Sequence, residues 1–174
     1  SVVYGNEVDQ PLTPDFSINN AVWADATNVD RLRGASSVAY NFALVLREEL
    51  DVPVGFLNTA LGGTYIEAWI SREGIESSET VKTYLQEHNR YYDEENWPQT
   101  FNRMSALYNQ KIGALAGYNV AGTIWYQGET NLQSGDIGIY TDLLCLLQQD
   151  WGRTFGFEDG RDMPFIFAHI APHT

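Results

Sequence analysis

The stretch Gly122-Thr-Ile-Trp-Tyr-Gln-Gly-Glu-Thr-Asn131, GTIWYQGETN, changes character half-way along. Val120 to Tyr126 runs without the apolar-polar alternation of a half-exposed strand, so it predicts a strand covered on both faces. Directly after it, Gln127, Glu129 and Asn131 place two amides and a carboxylate within five residues. A covered strand that ends in a polar loop is the arrangement in which open α/β sheets carry their ligand sites, outside the carboxyl ends of the strands.

The flanking sequence supports that reading. Upstream, Ala39, Phe42, Ala43, Leu46 and Leu50 fall on one face of a helix from about Ala35 to Leu50. Val52 to Asn58 then predicts a strand, with its Pro and Gly near the start. Val81, Tyr84, Leu85, His88 and Tyr92 repeat the helical spacing, as do Phe101, Met104, Tyr108, Ile112 and Leu115, the latter stopped by Gly117. Downstream, Tyr140, Leu143, Leu144, Leu147 and Trp151 mark a further helix before a strand from Pro164 to Ile170. Apolar strands separated by helices indicate a parallel sheet with helices on both faces, an α/β/α sandwich. Three strands are fewer than the five or so usual for such a sheet. The residues from Pro11 to Arg33 are polar and irregular and take no place in this pattern.

The length of 174 residues suits a single α/β domain, burying roughly 70% of the surface of its unfolded chain. With 10 Lys and Arg against 23 Asp and Glu, the net charge of -13 repels a phosphate backbone and argues against nucleic acid as a partner. No apolar run approaches the ~20 residues of a membrane span. Acidic residues between Glu73 and Glu95 read as a solvated face. The lone Cys145 excludes an internal disulfide and any Cys/His metal spacing, and its helical context suggests a small core residue. No metal or cofactor is implied.

Parallel strands bring three loops to one edge: Thr59 to Thr64, Gln127 to Asn131 and Ala171 to His173. Gly62-Gly63 serves either as a tight turn or as free N–H groups that hold a negatively charged oxygen. Gln127, Glu129 and Asn131 either bind a ligand or cap the next helix and bind loop backbone. Glu67 and Glu129 could form an acid and base pair for glycoside hydrolysis if they lay roughly 5 to 10 Å apart. Trp23, Trp69, Trp97, Trp125 and Tyr126 are core residues or platforms for sugar rings. There is no Gly-x-Ser-x-Gly elbow, Ser36 and Ser37 suit a helix cap, and His88, His169 and His173 read as structural or exposed.

Several segments together carry a resemblance: Ser36-Ser-Val-Ala-Tyr40, Val52-Pro-Val-Gly-Phe-Leu-Asn58, Gly62-Gly-Thr-Tyr-Ile-Glu-Ala-Trp69, Phe101-Asn-Arg-Met104 with Leu107-Tyr-Asn109, the opening stretch, and Pro164-Phe-Ile-Phe167. From about Ser36 to His173 the chain resembles the sialate O-acetylesterase-like branch of the SGNH hydrolases, a group of carbohydrate esterases. The resemblance implies a flavodoxin-like sandwich and a serine acyl-enzyme that removes acetyl groups from sialic acid or other glycans. It assigns Gly63 (N–H) and Gln127 (side-chain amide) to an oxyanion hole. Glu129 would hold the loop or orient the catalytic histidine, and Asn131 would support the loop. Gly62, Thr64 and Asn131 are expected on the substrate side. The family's nucleophile lies in a Gly-Gln-Ser-Asn segment and its base in Asp-x-x-His, and neither occurs here; His169 stands where relatives carry Gln. The chain is therefore expected to be the central part of a longer esterase, inactive by itself, or else a non-catalytic sugar-binding relative. Bacterial relatives that act on extracellular glycans imply a periplasmic or secreted setting.

Overall fold

The computed structural model describes residues Val2–Val3, Val22–Trp23, Asp25, Leu32, 34–92 and 100–170. Trp97, His173 and most of the Pro11 to Arg33 stretch lie outside the described residues, as do Ala171 and Pro172 of the third expected loop. The chain divides into two compact bodies, one ending at Gly62 and the other continuing from Gly63.

In the first body, β1 (Val2–Val3) pairs antiparallel with β2 (Val22–Trp23) and parallel with β3 (Leu57–Asn58), in the order β2-β1-β3. The sequence pattern did not reveal β1 or β2. The strand expected from Val52 is confined to β3, because Pro53 has no N–H to donate and pairing starts only past Gly55. Helix α1 (Ser37–Leu50) begins at Ser36, whose Oγ accepts the Ala39 N–H at 3.3 Å, and stops at Asp51 in the left-handed region. Its expected core face is covered only around Ala43; Phe42 and Leu50 are exposed.

The second body holds β4 (Thr123–Trp125) and β5 (Phe165–Phe167), paired in parallel with Ile124 opposite Ile166. Between them run α4 (Glu129–Gln133) and α5 (Ile137–Thr154). A single-turn 3₁₀ helix at Ile66–Trp69, α2 (Arg72–Glu76) and α3 (Glu79–Glu87) precede β4. Ser71 and Ser78 cap α2 and α3, accepting from Gly74 N–H and Val81 N–H. Ile70, Leu85, Leu107, Leu143 and Leu147 are fully enclosed in the core between these helices. The architecture is mixed α/β, mostly helical, with a small parallel sheet. No helix among the described residues is long and apolar enough to cross a membrane.

Three expectations need correction. The helix expected through Tyr92 ends at Glu87, since Asn89 takes a left-handed conformation and Arg90 N–H turns back to Leu85 O at 2.7 Å. The single helix expected over 101–115 is broken at Ser105 (φ 63°), whose N–H bonds Glu67 O at 2.9 Å; beyond it the chain widens into a π-helical turn at Tyr108–Ile112 and tightens to 3₁₀ at Gly113–Leu115. Met104, Tyr108, Ile112 and Leu115 are buried all the same, so their spacing marked a core segment but not its winding. Cys145 is exposed rather than core, because the buried face of α5 follows Ile139, Leu143, Leu146, Leu147, Asp150 and Trp151, and position 145 falls off that series.

Candidate functional site

β4 delivers Gln127 to the start of α4. Gly128, at φ 154°, makes a turn that other residues rarely adopt, and a Cβ there would press on Ile170. In the same body, Gly63 turns at φ 73° into Thr64, Tyr65 and the 3₁₀ helix. These two stretches meet: Gln127 Nε2 donates to Thr64 O and to Asn131 Oδ1, each at 2.8 Å. Gln127 Oε1 accepts from Tyr140 Oη at 2.9 Å. Gln127 is thus half-buried with both amide hydrogens engaged.

Asn131 is fully buried. Its Oδ1 also accepts the Ile66 N–H at 3.0 Å, and its Nδ2 donates to Asp136 Oδ2 at 2.9 Å and Glu67 Oε2 at 3.3 Å. Thr64 is buried too, with its hydroxyl accepting from Trp69 Nε1 at 3.0 Å. Asn131 and Thr64 therefore tie the two stretches together from inside. Gly63 is exposed, and among the described residues its N–H has no acceptor. Glu129, the first residue of α4, is exposed. Gly62 is exposed and closes the first body.

Beneath the loop lies an ionic cluster that the sequence did not announce. Arg90 reaches Asp136 through two hydrogen bonds, at 2.9 and 2.7 Å, and its Nη1 lies 3.0 Å from Glu67 Oε1. The guanidinium lies over Tyr65 (4.9 Å to the ring centroid) and Tyr84 (5.7 Å). Burial pushes the Glu67 carboxyl above its usual range, only partly opposed by Arg90 and the Asn131 hydrogen bond. Burial works the same way on Asp136, but hydrogen bonds from Arg90 and Tyr84 outweigh it and hold that carboxyl below its usual range. The only advance signal was the run of polar residues around 129–136, which names no partner at position 67 or 90.

The remaining candidates divide clearly. Glu67 is enclosed, with Arg90 and Asn131 beside it, so it does not face an exposed Glu129 across an open cleft as a glycosidase pair would. Trp69 and Trp125 are core residues, in edge-to-face contact with each other and with Trp151. Trp23 and Tyr126 are each 59% exposed. His88 stacks on Tyr84 with its Nδ1 2.8 Å from Tyr84 O, and His169 is exposed past β5. Ser36 caps α1. Glu73, Glu76, Glu79 and Glu87 are exposed, as a solvated acidic face requires. No group of three or more His, Cys, Asp or Glu is gathered as a metal site among the described residues.

Comparison with known proteins places the chain among carbohydrate esterases. The family model "Carbohydrate esterase, sialic acid-specific acetylesterase" matches residues 7–173. The sialate O-acetylesterase of Mus musculus is 27% identical over 161 residues, covering 79% of this chain and 30% of that protein. The Homo sapiens enzyme of the same name is 31% identical over 120 residues, 69% of this chain and 21% of that one. The crystal structure of a carbohydrate acetylesterase from Xanthomonas citri superposes with a TM-score of 0.69 at 27% identity, covering 91% of this chain and 31% of that chain. The chain thus spans about 30% or less of the length of the relatives it matches. With Gly63-Thr64 and the Gln-Gly-Glu-x-Asn loop brought together in the second body, and the family model matching residues 7–173, the chain belongs to the sialic acid-specific acetylesterase family of carbohydrate esterases.

Proposed function

We propose that this segment forms the oxyanion side of a serine carbohydrate O-acetylesterase acting on O-acetylated sialic acid or another acetylated glycan. The observation that carries the reading is the Gly63 N–H: Gly63 is exposed and its N–H has no acceptor among the described residues, while Gly63 O, Thr64 Oγ1, Thr64 O and the Tyr65 and Ile66 N–H groups are all engaged. When a serine oxygen bonds to the acetyl carbon, the carbonyl electron pair moves onto oxygen, and a donor held in advance stabilises that charge without reorganising. Gln127 joins it by releasing Thr64 O, since an oxyanion is a stronger acceptor than an amide carbonyl. Glu129 orients the catalytic histidine or holds the loop. Gly62 lies on the substrate side. Nucleophile and base come from Gly-Gln-Ser-Asn and Asp-x-x-His segments outside these 174 residues, in a periplasmic or secreted enzyme.

The sandwich architecture belongs to the same proposal. β4 and β5 are parallel, yet Ile166 and Phe167 are 50% and 58% exposed. Parallel strands are normally covered on both faces, so these call for further strands and helices from the longer chain.

The test is acetate release from O-acetylated sialic acid and acetylated xylan by the full-length chain that carries this segment. Gln127→Ala should lower kcat by about 10² or more. Unchanged kcat in that variant would remove Gln127 from the oxyanion site. Sugar binding without acetate release would favour a binding domain instead, a reading supported by the exposed Tyr126 ring beside Gln127.

A further inference from the structure

Asn102 sits in the turn at 100–103, where its own N–H bonds Thr100 Oγ1 at 3.3 Å and the Arg103 N–H bonds Thr100 O at 3.2 Å. Its side chain reaches 39 residues back along the sequence: Nδ2 donates to Gly63 O at 2.9 Å, and Oδ1 accepts the Tyr65 N–H at 2.9 Å. A residue in a parallel strand makes this same pair of bonds to the carbonyl before and the N–H after its partner. The Asn102 carboxamide therefore substitutes for a neighbouring strand, flanking Thr64 on one edge. Gln127 holds the other edge through Thr64 O.

We infer that Asn102 is a positioning residue for the oxyanion turn, an inference that rests on the esterase reading above. Glycine at φ 73° has no side chain to hold its conformation, and a Cβ built at Gly63 would touch nothing within 4 Å. Packing therefore does not fix the turn; hydrogen bonds do. Asn102 anchors Gly63 O and so fixes the peptide adjoining the Gly63 N–H donor. Its role grows as the reaction proceeds. Once Gln127 lets go of Thr64 O for the charged oxygen, the bonds from Asn102 on both sides of Thr64 are what keep the turn in place. Tyr65 adds a further anchor, since its ring lies against the Arg90 guanidinium.

The experiment compares the full-length chain with its Asn102→Ala and Asn102→Asp variants in acetate release, with Gln127→Ala in parallel and the melting temperature recorded for each. Asn102→Asp keeps an acceptor for the Tyr65 N–H but loses the donor to Gly63 O. Both Asn102 variants should lose about 10-fold or more in kcat, with KM within about twofold and little change in melting, since a misplaced donor forfeits part of the 10² to 10³ that a whole donor supplies. If Asn102→Ala does not fold, Asn102→Asp decides. Normal kcat in a folded Asn102 variant beside a depressed kcat in Gln127→Ala would overturn this inference alone. So would a loss carried by KM, or failure of both Asn102 variants to fold, which would make the residue a folding element. No acetate release from the unaltered full-length chain would overturn the esterase reading and this inference together.

Discussion

Asn131 shows how far a single residue can be read. Its place in the Gln-Gly-Glu-x-Asn segment marked it as important, and its proximity to Gln127 follows from the tight turn at Gly128 that leads into α4. Its bonds to the Ile66 N–H and the Glu67 carboxylate could not be read, because those partners lie 65 and 64 residues away. The same limit hid Arg90, which no local pattern connects to Glu67 or Asp136. Charge at a buried position is better judged by its cost. Lys111 is 2% exposed, and burial lowers its ammonium to about 8 from an ordinary 10.5. The unfolded chain then holds more protons between those two values, so stability should rise as pH climbs from about 8 to 10.5, and the full penalty applies below 8. Lys111→Met should therefore abolish that rise in stability between about pH 8 and 10.5. Urea melts of both proteins at pH 7 and pH 10 check the sign.

At the scale of elements, α5 is the one most completely legible, because an 18-residue helix repeats its spacing often enough to identify its buried face. What the pattern left out is how closely α5 is approached. A Cβ on Gly152 would collide with the Gly160 carbonyl, in the 3₁₀ turn at Gly160–Asp162. Gly152→Ala should cost about 1–3 kcal/mol through overpacking, despite the ~1 kcal/mol that alanine gains in helix propensity; a lowered melting temperature would show it. The buried carboxylate of Asp150 joins α5 to the cap of α2, accepting the Ser71 N–H at 2.7 Å and the Ser71 hydroxyl at 2.6 Å. Segment 101–115 was read less well. A winding that passes from a left-handed residue through a π turn to a 3₁₀ turn keeps the apolar residues inside, so its periodicity resembles that of an ordinary helix.

At the scale of the whole molecule, the sequence gives the parallel pairing of β4 and β5, since apolar strands joined through helices leave few other arrangements. The flanking strands could not be read for a simple reason: Val2–Val3 and Val22–Trp23 are each two residues long, too short for any period to register. The chain matches 30% of a relative's length, and on the proposed reading it supplies the oxyanion side of the chemistry while nucleophile and base come from outside it. Oxyanion donors without nucleophile and base leave only a residual effect. The 174-residue chain alone should thus release no acetate above background under conditions in which the full-length chain turns over, and measurable turnover by the segment would place a nucleophile within it.

The three indoles of Trp69, Trp125 and Trp151 have ring centroids 5.6 to 6.5 Å apart. Trp151 Nε1 donates to Trp69 O at 2.7 Å, and Trp69 Nε1 donates to Thr64 Oγ1 at 3.0 Å. At such separations excitation passes readily between the rings, so the trio emits as one coupled chromophore with one end fastened to the residue that follows Gly63. Any shift of that turn alters the polarity around the Trp69 N–H and with it the colour of the shared emission, giving the chain a built-in optical gauge of the turn at Gly63 and Thr64.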